Sequence, residues 1–320
     1  MPINTDGNLQ IYCLNVGQGD TTIILTPKNH VILIDAVNPR KITALLNQLG
    51  LSNGDTIQHI VVTHPHNDHY SAVEPLLNIF DVREVTLTSL RKYKENKPGY
   101  IGIINLALRK GIPTSFLSGY RVVFPDGSPF EESSSMKLEL LGPSNQFVED
   151  LSQSKDLGIN HYSILARIEI GKSRKFRMIV SGDAQMENWA HFDREQMLNA
   201  SCTVLRSAHH GSANGTQYER FGRLRPKVVI VSSDPDGKDK LPDLIGCATM
   251  LRYASESSNP LVALTRDTGT ILIRVTPSGS RRLFCYRDEA KDNVDLAKRE
   301  ALKHDTNPTR WDELLKTKIP

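Results

Sequence analysis

Two β-sheets packed face to face, with helices on their outer surfaces, is the α/β architecture this sequence predicts. Three observations predict it. Short β-branched runs bounded by Gly, Pro and Asn open the chain. Helical periodicities alternate with further short strands through its middle. The succession restarts near residue 158 with no linker-like stretch between, which points to one domain of two similar halves.

The first third reads as hairpins. Residues 9–16 lead through the turn Gly17-Gln18-Gly19-Asp20 into 21–26, and the turn at 27–29 leads into 31–34, closed by Asp35. Residues 39–49 carry Ile42, Leu45, Leu46 and Leu49 at helical spacing, and Gly50 stops them. A nearly all-apolar strand follows at 57–63, then a histidine loop, a helix at 71–79 and a strand at 84–88. A basic patch begins at 91 and gives way to a helix ending at Gly111. Strands are expected near 114–117, 121–124 and 137–141, with a loop rich in Ser, Pro, Gly and acids at 125–135. In the second half, strands at 162–170 and 176–180 form a hairpin ending in Ser181-Gly182-Asp183. A helix at 186–199, strands at 203–207 and 228–232, and closing strands at 261–264, 271–275 and 282–286 complete the series. The tail after Asp288 is charged and helix-prone, with Trp311, Leu314 and Leu315 as a small apolar face.

Composition narrows the function classes. Of 320 residues, 39% are hydrophobic, and the formal net charge of +3 is too small to mark a nucleic-acid partner by itself. No apolar run approaches the roughly 18–20 residues that span a bilayer. The segment Met1-Pro2-Ile3-Asn4-Thr5-Asp6-Gly7 has neither the basic start nor the apolar stretch of a secretory signal. Cys13, Cys202, Cys247 and Cys285 lie far apart without a Cys-x-x-Cys pair, which argues against a cysteine zinc site and a disulfide framework. A cytoplasmic protein without membrane attachment is expected.

Six of the ten histidines fall in three short segments. The strongest is Thr63-His64-Pro65-His66-Asn67-Asp68-His69, directly after a buried strand and before a helix. Pro65 biases His64 toward an extended conformation. Alternate residues of an extended segment point the same way, so His64 and His66 can pinch one metal ion. Asp68 and His69, at the turn into the helix, face a second position. Neutral imidazole and carboxylate together suit zinc, manganese or iron. Further candidates end strands of the second half: Asp183, a carboxylate able to bridge two cations, and the pair His209-His210. His30, His59, His191 and His304 lie outside these motifs and read as surface or packing residues.

This arrangement resembles the metallo-β-lactamase superfamily, an αββα sandwich with its metals at one edge between the sheets, from about residue 9 to 286. It is most similar to the hydrolase domain of ComEC-type DNA-uptake proteins and their soluble relatives. The supporting marks are Asn15-Val16-Gly17-Gln18-Gly19-Asp20, Leu33-Ile34-Asp35, Asn160-x-x-Ser163, Ser181-Gly182-Asp183, His209-His210-Gly211-Ser212 and Thr265-Arg266-Asp267-Thr268-Gly269-Thr270-Ile271. The resemblance implies a hydrolase domain over 1–287 with a charged tail over 288–320.

It also implies two divalent ions, zinc or manganese, with His64 and His66 on the first and Asp68 with His69 on the second. Asp183 would bridge them. His209 would complete the second site and His210 would lie near the substrate. Asp35 would orient a ligand histidine, and Asp20 would support the site mouth, a place its hairpin turn explains equally well. Most of the superfamily places a third histidine on the first metal, where ComEC-like members tend to have asparagine. Here Asn160 fits by position and His161 by chemistry, and both stay open. A neutral amide would bind the first metal less tightly.

Two cations lower the pKa of a bridging water from 15.7 toward about 7, so hydroxide is available at neutral pH without a protein nucleophile. His210 could then protonate the leaving oxygen, with Asp68 and Asp183 in the catalytic set. The resemblance favours phosphodiester cleavage, with DNA as the leading substrate. The short span from Asp183 to His209 leaves no room for the large cap of RNA-processing relatives. A basic, aromatic-bearing stretch (Arg91, Lys92, Tyr93, Lys94, Lys97, Tyr100) could hold a phosphate backbone, with Lys92, Lys94 and Lys97 as contacts. An ordinary solvated segment explains that stretch as well. Two other readings stand beside the nuclease. One is a hydrolase of small phosphodiesters, cyclic nucleotides or choline-type esters. The other is a metal-binding subunit of a multi-protein system, such as phage defence, docking a protein partner through residues 288–320.

Overall fold

Strand runs that are apolar on both faces build two large sheets, because each sheet is covered on each side. The computed structural model describes residues 6–93, 97–123, 136–171, 175–195, 201–234, 240–257, 260–287 and 292–302. Among them the larger sheet has nine strands, in the order Glu300–Ala301, Arg281–Tyr286, Thr270–Val275, Leu9–Cys13, Thr22–Leu25, Val31–Ile34, His59–Val61, Val85–Thr88 and Thr114–Leu117. The second has seven: Leu261–Leu264, Val228–Val231, Val204–Arg206, Phe176–Val180, Leu165–Ile170, Met136–Leu141 and Tyr120–Val123.

Alternation sorts the side chains. Ile11, Ile24, Ile32 and Val61 of one sheet meet Leu138, Ile168, Met178 and Ile230 of the other in the central core. Their sequence neighbours point outward. Tyr12, Ile23 and Leu33 pack under the helices Pro39–Gln48, Val73–Ile79 and Pro98–Arg109. Ile179, Leu205 and Val229 pack under Met186–Arg194, Tyr218–Leu224 and Leu244–Glu256. The result is an αββα sandwich.

Three expectations need correction. The sheets do not correspond to the two halves of the sequence. The chain changes sheet between Leu117 and Tyr120, well before residue 158, and the last strands return to lie beside Leu9–Cys13. The strand expected over 57–63 is two: Thr56–Ile57 pairs with Asp81–Val82 in a small separate sheet, and His59–Val61 enters the large one. The described part of the tail is not helical beyond the single 3₁₀ turn Leu296–Lys298. Val294 is buried in the outer core of the first sheet, and Glu300–Ala301 pairs with Arg281–Tyr286. Residues 303–320, with His304, Trp311, Leu314 and Leu315, lie outside the described residues, as does the loop at 125–135. No helix among the described residues is long and apolar enough to cross a membrane. All four cysteines are buried, and none is in a disulfide.

The topology places the site. Val31–Ile34, His59–Val61 and Val85–Thr88 are parallel, as are Phe176–Val180, Val204–Arg206 and Val228–Val231. Loops leaving the carboxyl ends of parallel strands gather at one edge of a sheet. Asp35, the histidine loop, Asp183 and the His209-His210 pair all follow such strands.

Candidate metal centre

The carboxylate of Asp183, only 2% exposed, is the centre of the cluster. Its two oxygens face different imidazoles. Toward Oδ2 lie His64 Nε2 at 3.4 Å, His209 Nε2 at 3.8 Å and His66 Nδ1 at 4.0 Å. Toward Oδ1 lie His69 Nε2 at 3.1 Å and His210 Nε2 at 3.5 Å, and Asp68 Oδ2 stands 3.5 Å from that same His210 nitrogen. Side-chain nitrogens and carboxylate oxygens therefore converge in two groups that share one acid.

Local backbone makes this convergence. Asp183 follows Gly182, whose φ of +50° lets the chain turn over Thr63; a Cβ on Gly182 would come within 2.8 Å of the Thr63 side chain. Thr63 in turn gives its backbone N–H (2.7 Å) and its hydroxyl (2.8 Å) to Asp35, and Asp35 Oδ2 is 2.8 Å from His69 Nδ1. His209 and His210 both have left-handed backbone, φ 50° and 51°. Asp243 holds that loop, accepting from the Ala213 N–H while capping the helix Leu244–Glu256 through the Gly246 N–H, each at 2.7 Å.

The left-handed pair overturns one expectation. His210, not His209, joins Asp68 and His69, while His209 turns to the Oδ2 side, 3.3 Å from Asn160 Nδ2. His210 Nε2 therefore faces the second group rather than the cleft alone. Behind it, Nδ1 is 3.6 Å from Asp20 Oδ1, and the fully buried Arg206 guanidinium lies 3.1 Å from the same oxygen. Asn160 and His161 are placed differently. His161 turns away, with Nδ1 accepting from the Gly158 N–H at 2.9 Å and Nε2 3.3 Å from Glu187. Asn160 faces the cluster.

Charge follows the same geometry. Burial pushes the His64 imidazolium down to about 3, so this ring stays neutral and able to ligate. Burial also opposes the charge on Asp183, but His69, His210 and His64 outweigh it and hold the carboxyl well below its usual range. At His69, burial is outweighed by Asp183 and Asp35, which raise the imidazole well above its ordinary value. Cations are thus drawn to this acid-rich pocket, and a divalent ion would displace those protons.

Residues 14–143 match the model of the metallo-beta-lactamase superfamily. The fold is an αββα sandwich of metallo-β-lactamase type. Among solved structures it is similar to a mutant of the CmlA beta-hydroxylase, with a TM-score of 0.53 and 11% identity over 85% of this chain and 55% of that one. The chain thus spans little more than half of that structure's length, and at this identity the likeness is one of fold. No curated protein matches the chain.

The metallo-β-lactamase fold generally binds divalent metals, and the residues present suit them. The donors are imidazole and carboxylate, a set that divalent transition metals accept. Asn160 Oδ1 and Asp183 Oδ1 are buried without a hydrogen-bond partner, and buried polar atoms are seldom left so unless something else satisfies them. A cleft of about 660 Å³ opens over the cluster, with Gln18, His66, Asp68, His209, Asn214 and Asp243 among its walls.

Of the basic stretch, Tyr93 lies beside the turn that carries Asn160. Tyr93 packs edge-on against Tyr162 at 5.8 Å, in the 3₁₀ turn Ile159–Tyr162 that carries Asn160. Lys92 Nζ is 3.1 Å from Glu149, and Lys97 sits over the Tyr93 ring at 5.5 Å. Lys94 lies outside the described residues. Tyr100 is wholly buried, its hydroxyl accepting from the Thr88 N–H and donating to the Thr88 carbonyl, so it is a core residue. Sequence reading passed over Arg206, Asn214 and Asp243. An arginine inside the apolar run Val204-Leu205-Arg206 signals the first, and an acid just before the apolar helix start signals Asp243. Nothing local signals Asn214.

Proposed function

We propose that the protein is a binuclear metal-dependent hydrolase that cleaves phosphodiesters, with DNA as the leading substrate. The supporting observation is the single buried carboxylate whose two oxygens address separate imidazole groups. His64, His66, His209 and Asn160 would hold one ion; Asp68, His69 and His210 the other; Asp183 both. When bound, such ions supply an activated water and neutralise charge on the substrate. The chain's own part is orientation. Asp35, fixed by Thr63, presents His69 in one tautomer, and the Arg206–Asp20 pair backs His210. His210 is assigned as a ligand and not as the acid that protonates the leaving oxygen, because its Nε2 is turned into the second group.

Tyr93 and Lys97, beside the Asn160 turn, support a nucleic-acid track, since aromatic and basic side chains together hold single strands. A second reading, small phosphodiesters, draws on the cleft wall: none of its residues among those described is lysine or arginine, and Lys92 is already paired with Glu149. A panel of single- and double-stranded DNA, RNA, cyclic dinucleotides and an aryl phosphodiester, with zinc or manganese, separates them. Activity on DNA that falls to background in Asp183→Asn is the expected result. Hydrolysis confined to small esters would transfer the assignment, and none on any phosphodiester would end it. Oxidation of a substrate by the iron-loaded protein would instead align it with the hydroxylase whose fold it shares.

A further inference from the structure

We propose that Asn214 is the positioning residue of His209, and that its neutral amide makes the first metal position the weaker of the two. This rests on the metal-centre reading above. His209 Nδ1 lies 2.7 Å from Asn214 Oδ1, and the Ser212 hydroxyl donates to the same oxygen at 2.5 Å. An oxygen that accepts both leaves Nδ1 as the protonated ring nitrogen, so Nε2 keeps its lone pair toward Asp183 Oδ2. The turn that brings this about is packed directly on the histidine. The Ser212 N–H donates to the His209 carbonyl at 2.9 Å, and a Cβ on Gly215 would stand 3.0 Å from His209 Cβ.

On the other side of Asp183 the same task falls to a charged group, since His69 Nδ1 is 2.8 Å from Asp35 Oδ2. A metal draws electron density from the imidazole it binds, and a carboxylate behind the ring offsets this better than an amide does. The second group therefore has an anionic backing and the first a neutral one. Among the imidazoles nearest the cleft, His66 and His209 of the first group are 34% and 20% exposed, though His64 behind them is 0%; in the second group His69 and His210 are 0% and 1%, with Asp68 at 33%. Two positions that share one acid are thereby made unequal, with Asn214 setting the lower affinity.

Calorimetric titration of the chelator-stripped full chain with zinc, and again with manganese, tests this without reference to turnover. Wild-type protein is expected to show two steps. Replacing an outer partner of a ligand histidine changes metal affinity by about 10–100-fold. Asn214→Asp, nearly the same shape, is expected to tighten the weaker step by about tenfold, and Asn214→Ala to weaken it by about tenfold or more, with the tighter step unmoved in both. Asp35→Asn should move the tighter step instead. If wild type binds a single equivalent and Asn214→Asp gains the second, the proposal is equally supported. A weaker step unchanged in Asn214→Asp, or both steps shifted alike, overturns it while leaving the metal centre intact. Wild-type protein that binds nothing overturns both.

Discussion

At positions 209 and 210 two adjacent imidazoles leave the chain on opposite sides of one carboxylate, because each residue takes a left-handed backbone. Such conformations cost about 1–3 kcal/mol each and persist only where surrounding structure imposes them. Here Asp243, the Gly211 turn and the Asn214 side-chain amide oxygen impose them. His210→Ala is therefore predicted to lower metal content together with turnover, measured as bound metal per chain beside rate; full metal with a lost rate would return His210 to the role of proton donor. The residues of the histidine loop were legible as ligand types because their spacing is local. The ring each would face was not, since that depends on a φ sign no residue type declares at position 209. His161 illustrates the converse: its chemistry suited a metal better than Asn160, but a hydrogen bond from Gly158 turns it outward.

Elements were legible where one period dominates. Val31–Ile34, Thr114–Leu117, Phe176–Val180 and Leu261–Leu264 fall where β-branched runs end at turn residues. Residues 57–63 failed because the run bends at Gln58, whose N–H bonds the Val31 carbonyl of the large sheet while Thr56–Ile57 before it pairs with a different sheet. The sheet change at Ser118-Gly119 was invisible for a related reason: a tight hairpin joins strands of one sheet as readily as it crosses between two. Two element-scale predictions follow from these joints. Gly182→Ala forces a Cβ into Thr63 at positive φ, and should cost about 1–3 kcal/mol of stability and loosen Asp35; thermal unfolding unchanged from wild type would refute the close approach. Asp243→Ala removes a helix cap worth about 0.5–2 kcal/mol and also frees the Ala213 N–H. Its metal affinity should fall along with its melting temperature, and a fall in melting temperature alone would show that the loop needs no clamp.

For the whole molecule, burial that makes the sandwich also makes it acid-sensitive. His59 is buried in the large sheet against Thr86, and burial pushes its imidazolium down to about 4. The unfolded chain binds that proton near pH 6.5, so between these values the unfolded state holds more protons and stability falls as pH falls. Integrated over the window, the loss is on the order of 3 kcal/mol. Urea unfolding of chelator-treated protein at pH 7 and pH 4.5 should show it, and His59→Gln should shrink the difference; an equal difference in the variant would place the acid sensitivity elsewhere. Loading with metal should raise the melting temperature, since an ion at about 1,000 times its Kd adds roughly 4 kcal/mol.

Both sheets must meet at Asp183 for any of the proposed chemistry to occur, and bound metal reports that meeting most directly. Equilibrium dialysis against zinc or manganese followed by elemental analysis should find two ions per wild-type chain and a marked loss in Asp183→Asn. Wild-type protein that stays empty, or an Asp183→Asn variant that fills as completely as wild type, would contradict it.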